Sequence, residues 1–255
     1  MDNAIFGNFD LARISLWMFW LFFAALVIWI QRENQREGYP LENDDGTPAG
    51  SLWPTPEPKS FNLADGRRFD APGLDIERRD LAMARTEASG GFPFAPTGDA
   101  MIDGVGAAAW VARRDEPEVD GHGHPKLRPM SEVAGFAVAS GRNPLGMEVI
   151  ANDRERPGII TDLWVDVPEQ MVRYLQVTLA DSSTRLIPMA MARITGDGVQ
   201  VRSISGSRFA EVPMTTRPGI VTKLEEDKIS AFYAGGTLYD QGKRGSKLRA
   251  LGDLF

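Results

Sequence analysis

The stretch ISLWMFWLFFAALVIWI occupies residues 14–30, and Ser15 is the only polar residue in it. An α-helix rises about 1.5 Å per residue, so extending this run to residues 11–32 gives a helix that can cross the hydrocarbon layer of a bilayer. A backbone in lipid must satisfy its own hydrogen bonds. The sequence therefore predicts one transmembrane α-helix over residues 11–32, with a buried helix of a soluble domain as the alternative.

A cleaved signal peptide fits this amino terminus poorly. Residues 1–10 carry two acidic side chains and no basic one, and the run is followed by Gln31-Arg32-Glu33-Asn34 rather than by small residues. Arg13 precedes the apolar run, whereas Arg32 and Arg36 follow it. The positive-inside rule therefore predicts a periplasmic segment 1–10 and a cytoplasmic carboxyl-terminal part, by a margin of one charge.

The composition excludes several classes of protein. The chain has 255 residues and a net charge of −7, which disfavours nonspecific binding to nucleic acid. It contains no cysteine and two histidines, so disulfides, thiolate metal sites and iron–sulfur clusters are excluded and a multi-histidine metal cage is disfavoured. No phosphate loop, nucleophile elbow or metalloprotease motif is present in the sequence, which argues against an enzyme that acts alone.

Beyond the helix, the sequence changes character twice. Eleven of the 17 prolines fall in residues 38–129, so segment 33–133 is predicted to be extended, with short strands such as a hairpin around Leu63–Arg68, and to lie on the surface of a partner. A disordered linker is the alternative. Alternating apolar residues in 134–240 predict short strands of a small antiparallel barrel or sandwich, followed by a helix from Leu224 to Ala234 that ends at Gly235-Gly236. Residues 241–255 form a basic tail, predicted to be mobile.

Two polar clusters could carry chemistry. The first is Asp120-Gly121-His122-Gly123-His124, with Glu118 and Lys126 close in sequence. Imidazoles exchange protons near neutral pH, so this loop could collect protons, and the same groups could bind a surface metal ion such as zinc. A solvated glycine turn explains the pattern slightly better from the residues alone.

The second cluster lies at a predicted strand end. Asp166 is placed on the face opposite the apolar side of a half-buried strand, Pro168 turns the chain, and Glu169 and Arg173 follow. A carboxylic acid shielded from water by a membrane partner could relay protons. Without such a partner, an ordinary turn acid is the better interpretation.

Longer motifs point to a known family. They are FGNFD (6–10), REGYPLEN (36–43), APTGD (95–99), DGVG (103–106), WVARR (110–114), DGHGH (120–124), WVDVPEQM (164–171) and EEDKI (225–229). Together they resemble the H subunits of the photosynthetic reaction centres of purple bacteria, over nearly the whole chain. The resemblance implies a single amino-terminal transmembrane helix and a mainly-β cytoplasmic domain with a small antiparallel PRC-barrel.

The resemblance also implies partners and location. The chain would be a non-catalytic subunit in the inner, chromatophore membrane, contacting the L and M subunits and lipid, with a light-harvesting complex as a further neighbour and no nucleic acid. Bacteriochlorophyll, bacteriopheophytin, quinones and non-haem iron would belong to L and M, and this chain would ligate none of them.

The resemblance further assigns roles to residues. Asp120, His122 and His124 match the family's proton entrance, where Zn²⁺ or Cd²⁺ would inhibit. Glu169 matches an internal acid on the way to the secondary quinone, with Asp166 beside it. The residues that could tune the same electrostatic field are Glu118, Lys126 and Arg173.

Two other functions stay open from the sequence. A membrane-tethered adaptor needs only the anchor and the barrel, and isolation of a colourless complex would favour it. A membrane-anchored hydrolase would use the acid and histidine residues, and turnover by the purified chain alone would support it.

Overall fold

The computed structural model describes residues 4–6, 9–36, 41, 43, 47, 49–50, 56–64, 66–71, 81–139 and 141–240. The predicted tail 241–255 lies outside the described residues. The chain divides into two compact units, the first comprising Met1–Ile76 and Ala88–Gly91, the second Glu77–Glu87 and Phe92–Phe255. Each unit is described by itself.

The first unit holds one long helix and two strand pairs. Its elements are β1 (Ala4–Phe6), β2 (Phe9–Asp10), α1 (Leu11–Asn34), β3 (Lys59–Asn62) and β4 (Arg68–Ala71). Strand β1 pairs with β2, and β3 with β4, both antiparallel. The β3–β4 hairpin closes through the bond from the Leu63 amide to the Arg67 carbonyl, 2.8 Å, so the expected hairpin is present and its strands lie on either side of the predicted turn.

Helix α1 extends two residues beyond the predicted 11–32. None of its side chains is buried against the rest of the chain. Among the described residues it is the one helix that is long and apolar enough to cross a membrane. Phe19, Trp20 and Phe23 contact one another with ring centroids 5.5–6.1 Å apart. This uncovered apolar surface fits an anchor in lipid or against partner helices.

The second unit is mainly β. Its strands are β5 (Met83–Arg85), β6 (Phe94–Pro96), β7 (Leu127–Pro129), β8 (Val149–Ile150), β9 (Gly158–Asp166), β10 (Met171–Leu179), β11 (Thr184–Pro188), β12 (Ala192–Ile194) and β13 (Val199–Val201). Its helices are α2 (Ala100–Asp103) and α3 (Lys223–Tyr239). Together with α1, this arrangement confirms the predicted class of one amino-terminal helix and a mainly-β region.

The strands form two main sheets. One has the order β11-β10-β9-β7 and is antiparallel throughout; the other has the order β12-β13-β8. The β8–β13 pair is parallel, which corrects the expectation of purely antiparallel pairing. The long connection between these two strands lets the chain return in the same direction. Among the described strands, the two sheets do not close into one hydrogen-bonded ring.

Strands β9 and β10 provide the centre of the core. Fully buried side chains from both sheets and from α3 meet there, including Leu163, Leu175, Val177, Ile187, Val199, Ile229 and Tyr233, and they are joined by Phe209 from the short 3-10 helix Gly206–Glu211. The prediction that β9 is half-buried was wrong at its carboxyl end, because Asp162, Trp164 and Asp166 are buried as well. Each polar group on that face has a partner: the Ser131 hydroxyl donates to Asp162, and the Trp164 indole donates to Gln176 at 2.9 Å.

Helix α3 is longer than predicted at its carboxyl end. It begins with a capping box, in which the Thr222 hydroxyl accepts from the Glu225 amide and the Glu225 carboxylate accepts from the Thr222 amide. It does not stop at the two glycines but continues to Tyr239. Gly235 lies against Ala108 and Gly236 against Ser203 and Ile204, leaving no room for a side chain at either position. These glycines allow close packing rather than terminating the helix.

The segment before residue 134 takes part in this unit. Asp99 caps α2 by accepting from the Met101 amide at 3.0 Å, and Met101, Val105 and Ala108 are buried. Strand β7 pairs with β9. Residues 99–129 therefore contribute a helix, buried side chains and a strand to the same compact unit as β8 to β13.

Candidate functional site

The histidine loop, residues 118–126, is a tight hairpin. Val119 bridges to Pro125, and the backbone amide of Lys126 donates to the Glu118 carbonyl at 2.9 Å. The Asp120 amide donates to the His124 carbonyl at 2.8 Å. Gly123 has φ 84° at the tip, a conformation that glycine adopts without strain. The positions of the two histidines relative to each other are therefore set by a hydrogen-bonded turn and not by an open loop.

Asp120 organises this turn. Its Oδ1 accepts from the backbone amides of His122 at 2.8 Å and His124 at 2.9 Å. The backbone hydrogen bond from His124, followed by the one from His122, lowers the pKa of the Asp120 carboxyl. The carboxylate therefore stays ionised beside two imidazoles at neutral pH.

The two imidazoles face solvent. Their ring centroids are 6.5 Å apart, and His124 Nδ1 lies 3.8 Å from Asp120 Oδ2. The His124 side chain is 75% exposed. Among the described residues, no three His, Asp or Glu side chains already converge on one point as metal ligands. A metal ion at this loop would require the imidazoles to rotate, which their exposure permits.

The acid turn, residues 166–170, follows β9. Asp166 is buried and its Oδ1 accepts from the Glu169 amide at 3.1 Å, while the Glu169 side chain is exposed. Gln170 has φ 53°, so the chain reverses there before β10 begins. The predicted pair of acids is thus held in one turn, with Asp166 shaping the backbone that carries Glu169.

Pairing of β7 with β9 brings the histidine loop and the acid turn together. Leu127 lies opposite Asp166 in the β7–β9 register, and the Val167 amide donates to the Lys126 carbonyl at 3.0 Å. The pKa of Lys126 is raised by its hydrogen bond to Glu118 and, more weakly, by the charges of Asp166 and Glu169. Lys126 is therefore a fixed cation between the two clusters.

Glu118 and Arg173 belong to the same electrostatic surroundings. Lys126 Nζ lies 2.7 Å from Glu118 Oε1, and this hydrogen bond lowers the pKa of the Glu118 carboxyl. The charges of Lys223 and Arg173 lower it further. The structure therefore assembles Glu118, Lys126 and Arg173 near the residues whose protonation they could influence.

A cavity of about 340 Å³ borders Glu118, and no pattern in the sequence predicts it. Its wall includes Tyr174 and Glu226, whose side chains meet at 2.9 Å although they are 52 residues apart. Burial raises the pKa of the Glu226 carboxyl. No spacing pattern relates a residue of β10 to one of α3, so these two residues were absent from the predicted site.

We expect Asp120→Asn to loosen the histidine loop at neutral pH. The lowered pKa means that the stabilisation by Asp120 is complete above the unfolded value of about 3.9 and is lost as pH falls through the lower folded value. Hydrogen–deuterium exchange of residues 118–126 should therefore be several-fold faster in the variant near neutrality, with the difference disappearing in acid. Asp197→Asn, in an exposed turn elsewhere, should leave this segment unchanged, and equal exchange in D120N would contradict the role of Asp120.

Two family models match the chain. One describes the photosynthetic reaction centre H-chain N-terminal region and matches residues 3–132, just over half of the sequence. The other describes the PRC-barrel domain and matches residues 137–208, which include β8 to β13. Together they confirm the resemblance to reaction-centre H subunits, and they imply association with other subunits of a membrane-bound complex, in agreement with the apolar helix α1. This chain belongs to the family of photosynthetic reaction centre H chains.

Proposed function

We propose that this chain covers the cytoplasmic side of the L and M subunits and conducts protons to the secondary quinone during light-driven electron transfer. The observation that carries the proposal is the β7–β9 pairing, which sets the exposed histidine loop beside the acid turn. Membership of the reaction-centre H-chain family supports the proposal, because the proposed complex would hold the quinone that receives the protons.

The chemistry of quinone reduction gives the proposed route its purpose. Full reduction of a quinone to a quinol takes two electrons and two protons. A quinone buried in a protein complex cannot take protons directly from bulk water, so it needs a chain of titratable side chains and water. Imidazoles suit the entrance to such a chain, since they bind and release protons near neutral pH.

Each cluster has a distinct part in this route. His122 and His124 accept protons from solvent, and Asp120 holds the turn that carries both imidazoles. Glu169 receives protons further along, on a backbone positioned by Asp166. Glu118, Lys126 and Arg173 are the charged groups that tune the electrostatic field along this route.

The membrane arrangement follows the same proposal. Residues 1–10 lie in the periplasm, α1 crosses the membrane in contact with lipid and partner helices, and the second unit lies in the cytoplasm. L and M hold the bacteriochlorophyll, bacteriopheophytin, quinones and non-haem iron, and a light-harvesting complex is a further neighbour. The chain itself catalyses no reaction.

Inhibition by Zn²⁺ or Cd²⁺ tests the entrance. Either ion should slow proton uptake by the intact complex, because it binds the imidazoles that would carry the protons. In the variant His122→Ala/His124→Ala, the ion concentration needed for half inhibition should rise by at least about tenfold.

A control keeps both histidines while altering the same loop. Gly121→Ala adds a methyl group where no neighbouring atom lies within 4 Å, so it should retain normal inhibition. Inhibition of the double histidine variant at the original ion concentration would place the entrance elsewhere.

A further inference from the structure

The cavity beside Glu118 gathers polar groups from four parts of the second unit. Tyr174 and Arg173 come from β10, Glu226 and Ser230 come from α3, and Glu118 comes from the histidine loop. The other residues in its wall are Arg113, Lys223 and Asp227. A volume of about 340 Å³ lined by such groups has room for several hydrogen-bonded water molecules.

Two of the carboxylates at this cavity are paired with cations. Glu118 Oε1 lies 2.7 Å from Lys126 Nζ. Asp227 Oδ1 lies 3.6 Å from Arg113 Nε, and the other oxygen of Asp227 accepts from the Val111 amide at 2.7 Å. The hydrogen bond from Lys126 lowers the pKa of the Glu118 carboxyl, so Glu118 is a poor carrier of a proton at neutral pH, and the two oxygens of Asp227 already face a guanidinium group and an amide donor.

Glu226 has a different partner. Its Oε2 accepts a hydrogen bond from the Tyr174 hydroxyl at 2.9 Å, and Tyr174 is itself buried. A phenol is a neutral donor, so it holds the carboxyl in position without the strong bias towards ionisation that an ammonium or guanidinium group imposes. The Glu226 carboxyl can therefore alternate between its two protonation states while keeping one geometry.

We propose that Glu226, held by Tyr174, is a proton-holding group that exchanges protons with water in the cavity and delivers them towards the acid turn past Glu118. This inference rests on the proposed function and adds a second source of protons beside the histidine loop. It assigns to α3 a part in proton transfer that lies outside the segments of the histidine loop and the acid turn.

The groups around Glu226 include some that raise the pKa of its carboxyl and others that lower it. Burial is the largest influence and raises the pKa of its carboxyl; the Tyr174 hydrogen bond and the charges of Arg173 and Arg113 oppose this rise, whereas Glu118 adds to it. Lys223 and Asp227 also face the cavity with opposite charges. Burial likewise raises the pKa of Tyr174, so the phenol remains a donor at physiological pH. As pH falls, Glu226 therefore takes up a proton before an ordinary solvent-exposed glutamate does.

Infrared difference spectroscopy of the intact reaction centre provides the test. Reduction of the secondary quinone should change the carbonyl stretching band of a protonated carboxylic acid, and Glu226→Gln should remove the part of that band that belongs to Glu226. The same variant should lose part of the net proton uptake that accompanies reduction of the quinone. Glu211→Gln, an exposed acid paired with Arg208 and absent from the cavity wall, is the matched control and should change neither signal.

A second variant keeps the inference testable if Glu226→Gln prevents assembly of the complex. Tyr174→Phe keeps the carboxyl and removes its donor, so it should shift the frequency of the Glu226 band rather than remove it. An unchanged band and unchanged proton uptake in either assembled variant would overturn the inference. Glu169→Gln, measured in parallel, separates the two proposals: normal proton-coupled electron transfer in E169Q refutes the proposed route, whereas a slowed E169Q beside a wild-type-like E226Q refutes the role of Glu226 alone.

Discussion

Replacing Glu169 by Gln in the intact reaction centre is expected to slow the proton-coupled transfer of the second electron to the quinone by about 10²-fold, the scale on which a positioned acid–base group contributes. Gln has nearly the same shape as Glu but cannot gain and lose a proton in this pH range. Primary charge separation involves no proton from this chain, so its rate should stay unchanged.

The local structure makes this substitution a selective one. The backbone amide of Glu169, rather than its side chain, makes the bond to Asp166 that closes the acid turn. The side chain is exposed in the isolated chain and therefore free to face water or a partner subunit. E169Q should therefore keep the fold of the turn while removing the titratable group.

The matched control removes an acid from the other end of the same strand. Asp181 lies in the turn between β10 and β11, where its Oδ1 accepts from the Ser183 amide at 2.9 Å. Asp181→Asn should leave the second electron transfer at its normal rate. An unchanged rate in E169Q would remove Glu169 from the route, and equal slowing in both variants would attribute the effect to altered charge at the surface rather than to a relay.

Local patterns in the sequence predicted the elements whose stability comes from nearby residues. The apolar run of α1 is almost unbroken, and the turn residues around Gly66 mark a hairpin that the structure contains. In β10, the buried residues Leu175, Val177 and Leu179 alternate with half-buried Gln176 and Thr178. In each case, residues close in sequence determine the conformation.

Features that depend on contacts between residues far apart in the sequence were not predicted. In the sequence, Gly235 and Gly236 are typical of a helix end. In the structure, α3 continues through both of them, and Ala108 and Ser203 pack so closely that only glycine fits at these positions. Asp162 has the polarity of a surface residue and is buried because Ser131 supplies a hydrogen bond. Local propensity yields to tertiary packing at these positions.

The candidate site likewise has one part that the sequence predicts and another that depends on the fold. The DGHGH turn is local, so its acid and two imidazoles could be named from the sequence. Its position next to the acid turn depends on the pairing of β7 with β9, which joins residues about 40 positions apart. The Tyr174–Glu226 hydrogen bond spans 52 positions and two kinds of element, so only the fold reveals it.

Gly236→Val is expected to destabilise the chain by about 2 to 3 kcal/mol, the cost of forcing extra atoms into a well-packed core. A Cβ at this position would lie 2.5 Å from the carbonyl oxygen of Ser203 and would also overlap Ile204. The Ser203 carbonyl belongs to the backbone, so it cannot turn away as a flexible side chain can. Helix propensity acts in the opposite direction, since valine in a helix is better than glycine by a few tenths of a kcal/mol, and the overlap outweighs it.

Thermal unfolding of the purified complex measures this balance. G236V should lower the unfolding temperature of this subunit by about 5 °C or more. The matched control is Thr237→Val, which places the same side chain at the next, exposed position of α3 and should change stability by less than about 0.5 kcal/mol. A stability equal to wild type in G236V would mean that α3 can move away from Ser203, and then the two glycines would not be what sets its distance from the sheet.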